Sequence, residues 1–293
     1  MVTKTNQTLL TPLDRTRVLI EALPYIQDFS GATVIIKIGG SALINKELFK
    51  HFAEDVVLIN SVGINPIVVH GGGPQIGEHL SAMGKQSSFI NGLRVTDQET
   101  LAVVKEVLQG EVCSAIVGAI NELGGKAIGI SGEQNDLIQA EQRSEELGYV
   151  GDITGVSTEI LDKAVHEGII PVVTTIGADG KGQSYNINAD TATGALAGAL
   201  KVEKVIYLSD VPGLLADKET PESLISEISA EGINAMIKAG EISDGMIPKV
   251  NSCIDALAKG AHKAHLLDGR IPHVVLLELF TDSGIGTMIV GGK

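Results

Sequence analysis

The sequence has no tryptophan, and aromatic residues make up only 3% of its 293 residues. Sequence-tolerant binding of single-stranded nucleic acid uses aromatic stacking, so this function is disfavoured. Positive charge is also scarce, because 22 Lys and Arg stand against 36 Asp and Glu, for a net charge of −14. A large nucleic-acid interface needs clustered cations and is not expected. A small anionic ligand, which needs only a few local cations and backbone N–H groups, is still compatible with this composition.

Cysteine and long apolar runs are equally scarce. Two cysteines, Cys113 and Cys253, are too few for a disulfide framework or a cysteine-based zinc site. No apolar run reaches the roughly 18 residues of a membrane-spanning helix, and the polar residues 1–10 lack a signal-peptide core. We therefore expect a cytoplasmic protein in a reducing compartment, without membrane contact and with residues 1–10 disordered.

Glycine, by contrast, is abundant, at 35 residues without a collagen period. Many glycines follow short apolar runs, and segments with helical periodicity separate these runs. Continuous apolar strands separated by helices indicate a parallel sheet covered on both faces. The sequence therefore predicts an α/β fold, a three-layer αβα sandwich with a largely parallel central sheet. The predicted strands are 34–38, 66–69, 127–130, 169–176, 205–208, 264–267 and 286–290, and the predicted helices include 48–62, 101–123, 160–167, 189–200 and 247–259.

A further helix is predicted before the first strand. Thr11 is a candidate N-cap, Pro12 follows in the first turn, and Asp14 lies three residues after the cap. We expect this helix to be kinked or interrupted at Pro24 and to end at Gly31. Because it precedes the strands, it is expected to be an appendage to the main domain.

Two glycine-rich turns are candidates for anion binding. Gly39 and Gly40 follow a strand that contains Lys37, and since a buried unpaired ammonium is costly, Lys37 faces either a polar cleft or solvent at a sheet edge. In the second turn, residues 70–74, three glycines between a strand and a helix form a backbone cradle for an anion. The sequence of this turn fits neither the Walker A pattern nor the dinucleotide fingerprint. His70, at the start of the turn, is interpreted as structural.

Polar residues outside these turns suggest the rest of the chemistry. Arg94 suits a carboxylate if it faces the glycine turn, although a single loop arginine is usually only solvated. Asn188 is a candidate N-cap for a helix in which Asp190 either complements the dipole or orients cations. Lys249 begins a helix, where the dipole disfavours a cation unless a polyanion is bound.

Together these residues suit a reaction between two anions. Phosphoryl transfer depends mainly on positioning and charge stabilisation, and a carboxylate acceptor with a reference pKa of about 4.3 is already ionised at neutral pH. No general base is then required. No catalytic-triad spacing stands out, and only His262 and His265 are close histidines, without a third ligand. No metal site is therefore predicted.

Seven motifs in order give the chain a resemblance to the amino acid kinase family, from about Leu13 to Val290. They are KIGGSAL at 37–43, VVHGGGPQI at 68–76, GLRVTD at 92–97, NINADTA at 186–192, LSDVPGLL at 208–215, SDGMIPKV at 243–250 and FTDSGIGTMI at 280–289. The resemblance implies transfer of the γ-phosphoryl group of ATP, with Mg²⁺, to the side-chain carboxylate of N-acetyl-L-glutamate in arginine biosynthesis. The product would be an acyl phosphate.

The resemblance also assigns roles to residues. Lys37 and Lys249 match lysines that stabilise the transferring phosphoryl group, and Asp190 matches the carboxylate that orients them. The matched acceptor-binding residues are Gly72, Gly73, Arg94, Asn186 and Asn188. The matched nucleotide-binding residues are Lys37, Gly39, Gly40, Ser209, Asp210 and Lys249. No protein ligand to the metal is implied, because phosphates and water hold Mg²⁺.

An N-terminal helix is typical of family members that are inhibited by arginine and form hexamers as trimers of dimers. By this resemblance Tyr25, His265, Glu278 and Gly284 line the arginine site, although a helix that serves only assembly stays an alternative. The implied division is an extension at 1–30, an acceptor-binding and dimerisation lobe at 31–200, and a nucleotide-binding lobe at 201–293. Some members bind the PII signalling protein, and no residue here decides that partner.

Three alternative functions stay open at this point. A kinase acting on carrier-linked aminoadipate or glutamate in lysine biosynthesis shares most of the motifs, but its acidic carrier would be repelled by a chain of this charge. A non-catalytic arginine sensor would not need both lysines and Asp190. A nicotinamide-dependent dehydrogenase would need the dinucleotide fingerprint that is absent.

Overall fold

A computed structural model describes residues 11–217, 220–242, 245–282 and 284–291 of the chain. The predicted disorder of residues 1–10 lies outside these described residues, as do Ser243 and Asp244 of the motif at 243–250. Within the described ranges, no helix combines the length and the apolar character needed to cross a bilayer.

The described residues form strands and helices that alternate along most of the chain. The strands are β1 (Thr33–Ile38), β2 (Asn65–His70), β3 (Phe89–Ile90), β4 (Leu93–Arg94), β5 (Ala127–Ser131), β6 (Ile138–Gln142), β7 (Gly151–Val156), β8 (Ile170–Thr174), β9 (Ile176–Ala178), β10 (Ser184–Asn186), β11 (Lys204–Ser209), β12 (Glu227–Ser229), β13 (Lys263–Asp268) and β14 (Thr287–Val290). The α-helices are α1 (Pro12–Phe29), α2 (Ser41–Ile44), α3 (Lys46–Ser61), α4 (Gly73–Ala82), α5 (Gln98–Lys105), α6 (Cys113–Glu122), α7 (Glu159–His166), α8 (Ala189–Leu200), α9 (Ala230–Ala239), α10 (Ile247–Ala258) and α11 (Val274–Phe280).

The main sheet has eight strands in the order β12-β14-β13-β11-β1-β2-β8-β5. Neighbouring strands are parallel except for β13 and β14, so β14 and its partner β12 run against the other six. At the centre, β1 pairs with β2 on one side and β11 on the other. Because these three strands are parallel, their carboxyl ends bring Gly39, Gly71 and Ser209 to one edge of the sheet.

Helices cover both faces of this sheet. Along β1, Ile36 and Ile38 belong to a core that includes buried residues of α3, α6 and α11. Ile35 points into a second core with buried residues of α8 and α10. Alternation of side chains along a strand sends neighbours to opposite faces, so a strand that is apolar throughout is covered on both. The predicted three-layer sandwich is confirmed.

Local structure departs from the prediction in three places. Helix α1 has the predicted Thr11–Asp14 capping box but continues through Pro24 to Phe29. The segment predicted as one helix at 101–123 contains a π-helical stretch, Glu106–Val112, between α5 and α6. The predicted strand at 169–176 is divided into β8, in the main sheet, and β9, in a four-stranded sheet of order β10-β9-β6-β7.

Candidate active site

A buried carboxylate bridges two lysines at the carboxyl edge of the main sheet. The Nζ atom of Lys37, on β1, lies 2.8 Å from Oδ1 of Asp190, and that of Lys249, on α10, lies 3.1 Å from Oδ2. Burial alone would raise the pKa of Asp190, but the charges of Lys37 and Lys249 outweigh it and hold this pKa below its ordinary value. The predicted trio is therefore assembled, and its net charge is positive.

Two glycines in α8 bring Lys249 to this position. A Cβ at Gly194 would lie 2.7 Å from the carbonyl oxygen of Ser252, and one at Gly198 would lie 2.3 Å from Cβ of Lys259. Both contacts are too close for any larger residue, so the glycines allow α8 and α10 to pack backbone to backbone. This approach places the first turn of α10 beside Asp190, which lies in the first turn of α8.

Both glycine turns lie in close contact with other segments of the same chain. Gly40 has φ +58°, and a Cβ there would lie 2.5 Å from Oδ2 of Asp210. A Cβ at Gly72 would lie 2.7 Å from Cδ2 of Leu108, which belongs to the π-helical stretch. Gly72 is the N-cap of α4 and provides no capping side chain. Backbone N–H groups of the first turn of α4 are thus available to an anion.

Arg94 and Asn186 lie beside the glycine turn at residues 71–73. Nη2 of Arg94 donates to the carbonyl oxygen of Gly73 at 2.8 Å, and its guanidinium lies 4.8 Å from the ring centre of Phe89. Burial lowers the pKa of Arg94. Asn186 donates from Nδ2 to Oγ1 of Thr96 at 3.1 Å. These contacts fix two polar groups beside the glycine turn.

Asn188 and His70 have structural roles in the described geometry. Asn188 is the N-cap of α8, and its side chain accepts a hydrogen bond from the backbone N–H of Thr191 at 3.0 Å. His70 is fully buried at the end of β2, and burial lowers its pKa to about 4. A neutral, buried imidazole agrees with the structural interpretation of His70.

Two adjoining cavities meet at Lys37. The first, of about 270 Å³, is lined by the predicted acceptor-binding residues Gly72, Gly73, Arg94, Asn186 and Asn188, and by Asp190. The second, of about 320 Å³, is lined by Ser209, Asp210 and Lys249. Lys37, Gly39 and Gly40 line both. The predicted acceptor-binding residues therefore line one cavity, and Ser209, Asp210 and Lys249 line the other. Lys37, Gly39 and Gly40 lie between the two cavities.

The four residues predicted for arginine line a separate cavity of about 380 Å³: Tyr25, His265, Glu278 and Gly284. Tyr25 comes from α1, His265 from β13 and Glu278 from α11, so the N-terminal helix forms part of the wall. The Tyr25 hydroxyl hydrogen-bonds Asp282, which raises the pKa of Tyr25.

A second bridging carboxylate lies in this cavity. Oε1 of Glu278 lies 2.9 Å from Nζ of Lys204 and 2.9 Å from Nδ1 of His265. Burial would raise the pKa of Glu278, but hydrogen bonds and charge from His265 and Lys204 hold it below its ordinary value. Burial lowers the pKa of His265 in spite of the bond to Glu278, which favours the neutral form of the imidazole.

Sequence reasoning does not find Lys204 or Asp282 as members of this cavity. Lys204 is 6% exposed at the start of an apolar strand, the same pattern that singles out Lys37. That pattern was available in the sequence. Asp282 lies in the motif FTDSGIGTMI, but only the fold shows that it hydrogen-bonds Tyr25.

The sequence matches a known protein family and named relatives. Residues 32–268 match the amino acid kinase family. The acetylglutamate kinase of Moorella thermoacetica is 50% identical over 97% of this chain and 99% of its own length. That of Thermosynechococcus vestitus is 48% identical over 97% of both chains.

Solved structures agree on the fold. The N-acetylglutamate synthase of Neisseria gonorrhoeae, complexed with coenzyme A and N-acetyl-glutamate, superposes with a TM-score of 0.83 at 26% identity. The match covers 95% of this chain but only 64% of the synthase, so this chain spans less than two thirds of that protein. Carbamate kinase of Giardia lamblia, bound to AMP-PNP, superposes with a TM-score of 0.63 at 17% identity, over 90% of this chain and all of that one. The family match and the two close relatives show that this chain belongs to the amino acid kinase family.

Proposed function

We propose that this chain transfers the γ-phosphoryl group of ATP to the side-chain carboxylate of N-acetyl-L-glutamate, a step of arginine biosynthesis. The observation that carries the proposal is the placement of Lys37, Asp190 and Lys249 where two cavities meet. One cavity offers Arg94 and Asn186 to a dicarboxylate, and the other offers Gly40 and Lys249 to a polyphosphate. The names of the close relatives support the same acceptor.

The geometry supports direct transfer between the two ligands. A carboxylate oxygen of the acceptor forms a bond to the γ-phosphorus, while the bond from that phosphorus to the oxygen bridging to the β-phosphate breaks. The products are ADP and an acyl phosphate, and no proton needs to move. Lys37 and Lys249 stabilise charge on the transferring oxygens, which is where most catalysis of phosphoryl transfer lies.

Asp190 acts as a positioning residue for this step. Its two oxygens each face one lysine, so it positions both ammonium groups. Mg²⁺ held by the ATP phosphates and water would neutralise phosphate charge. N–H groups of the turn at Gly72 and Gly73 are suited to oxygens of the acceptor or of the transferring group.

We further propose that arginine inhibits the enzyme from the cavity of Tyr25 and Glu278. The cavity combines buried and exposed carboxylates that suit a guanidinium. We also propose a hexamer built as a trimer of dimers. The support is α1, in which five apolar side chains are 43–70% exposed: Leu13, Val18, Leu19, Ile20 and Leu23. PII stays an undecided partner, and the proposed location is the cytoplasm.

ATP-dependent acyl-phosphate formation, trapped with hydroxylamine, tests this function. N-acetylglutamate, glutamate, aspartate and N-acetylaminoadipate are compared, each with and without arginine. Product with N-acetylglutamate alone, suppressed by arginine, is the expected result. Product without suppression keeps the catalytic proposal and removes the regulatory one. No product with any acceptor would favour the carrier-linked kinase or the arginine sensor.

A further inference from the structure

We propose that His51, Glu54 and His273 form a site for a divalent transition-metal ion of the zinc class. None of the three lines the cavities described above. The site is a new property of the chain, and it does not depend on the proposed reaction.

Three potential ligand atoms converge from two helices. One ligand atom of each side chain lies within 4.8 Å of those of the other two, and all three residues are partly buried. His51 and Glu54 are three residues apart on α3, so they share a helix face, and His273 reaches them from the N-cap of α11. Zinc bonds of about 2.0–2.1 Å require ligand atoms about 3.3 Å apart, so side-chain rotations must close the remaining distance.

A buried carboxylate orients His273 toward such an ion. Nδ1 of His273 lies 2.6 Å from Oδ1 of Asp55, which is 1% exposed, and Nε2 lies 3.9 Å from Oε2 of Glu54. Donation of Nδ1–H to Asp55 leaves the lone pair of Nε2 available to a metal ion. Metal-binding histidines in proteins are usually held by this type of second hydrogen bond.

His51 supplies an independent observation. Its ring centroid lies 4.4 Å from that of His273, and its Nδ1 is buried without a hydrogen-bond partner in the structure. Buried polar atoms usually have a hydrogen-bond partner. Coordination to a metal ion would give this nitrogen a partner.

The donor set selects the class of ion. Two imidazoles and one carboxylate suit Zn²⁺, with a water molecule as fourth ligand. Oε1 of Glu54 lies 3.5 Å from Nζ of Lys50, an exposed side chain that can move into solvent, while Oε2 faces the site. The ion would join α3 to α11, the helix that carries Glu278.

Zinc content and thermal stability of the untagged protein test the site. After equilibration with Zn²⁺ and removal of excess ion, we expect one zinc per chain by mass spectrometry. At a hundredfold excess over the dissociation constant, Tm should rise by about 5 °C, and EDTA should reverse the rise. Co²⁺ in place of zinc should give the visible absorption of a four-coordinate site.

Three variants and two controls decide the assignment. His51→Gln, Glu54→Gln and His273→Asn should each weaken zinc binding at least about tenfold and remove the Tm shift, while Tm in EDTA changes little. Asparagine is chosen because residue 273 has φ 55°, which asparagine tolerates. His79→Gln and His262→Gln, which remove histidines paired with carboxylates at 2.9 and 2.8 Å elsewhere, should leave binding unchanged. Zinc retained by the three variants, lost in the controls, or absent from the unaltered protein would overturn the proposal.

Discussion

The cleft at Lys37, which consists of the two adjoining cavities, and the Tyr25 cavity share one arrangement. In each, a helix carboxylate bridges two basic side chains, but the electrostatic results are opposite. Asp190 faces two lysines, whereas Glu278 faces Lys204 and a histidine whose pKa burial lowers. The adjoining cavities of the cleft are lined by three cations and two carboxylates. The Tyr25 cavity is lined by one ammonium group and three carboxylates. The balance of charge around the bridge, rather than the bridge itself, suits one region to anions and the other to a cation.

The largest expected effect comes from removing a lysine of the cleft. Lys37→Ala should lower kcat by about 10²–10³-fold, because loss of one group that stabilises transition-state charge has costs of this size. The KM for acetylglutamate should change much less. Steady-state kinetics with the coupled release of ADP measures both constants.

The matched control is Lys163→Ala, which removes an exposed lysine from α7. It should keep kcat within about twofold. If Lys37→Ala instead raised KM with kcat unchanged, Lys37 would bind the ground state and not the transferring group.

In the Tyr25 cavity, the corresponding change is Glu278→Gln, which removes the charge of the bridging carboxylate. It should raise the concentration of arginine needed for half inhibition by about 10- to 100-fold, because hydrogen bonds to charged groups contribute about 1.5–3 kcal/mol. Uninhibited kcat should stay within about twofold. Tm should fall, since Lys204 loses a buried partner. Inhibition curves at fixed substrate concentrations measure the change.

Glu203→Gln is the comparison variant, because Glu203 pairs with His262 outside the cavity. It should leave arginine inhibition unaltered. Equal inhibition of Glu278→Gln and the unaltered enzyme would place the arginine site elsewhere.

A smaller effect is expected at the acceptor side of the cleft. Arg94→Lys should raise the KM for acetylglutamate about tenfold and change kcat by less than about threefold, because lysine lacks the planar fork that suits a carboxylate. Arg143→Lys, at an exposed arginine 3.0 Å from Asp152, is the control. An unchanged KM in Arg94→Lys would remove this residue from the acceptor site.

Local sequence patterns make the residues of the cleft easier to predict than contacts between distant segments. Lys37 stands out because it interrupts an apolar strand, and Asp190 and Lys249 lie in motifs next to predicted helix starts. The apolar periodicity also predicts the layers of the fold. These signals depend on residues near one another in sequence, and the family motifs add the roles.

Contacts between distant segments leave no such signal. His273 meets Asp55, 218 residues away, only because α11 packs against α3. The π-helical stretch keeps helical spacing of its apolar residues, so periodicity does not separate it from α5 and α6. Its position becomes meaningful only through the contact of Leu108 with Gly72.

Two buried histidines, His70 beside the cleft and His265 in the Tyr25 cavity, should make the stability of the two regions depend differently on pH. His70 adjoins the glycine turn of the cleft, and burial lowers its pKa to about 4 from an unfolded value near 6.5. The unfolded chain therefore binds a proton that the folded chain does not. The contribution of His70 to stability is complete above pH 6.5 and is lost as pH falls from 6.5 toward 4, at about 1.4 kcal/mol per pH unit.

His70→Asn should remove this contribution to the slope of stability against pH, because asparagine does not titrate and its amide can still donate to the carbonyl of Gly71. Urea unfolding at intervals between pH 4.5 and 7.5 measures the free energy of unfolding of both proteins. His265→Asn should flatten the curve less, because the bond to Glu278 favours the protonated imidazole and opposes the effect of burial. A slope that His70→Asn leaves intact would mean that water reaches His70 and that the core beneath the glycine turn is not closed.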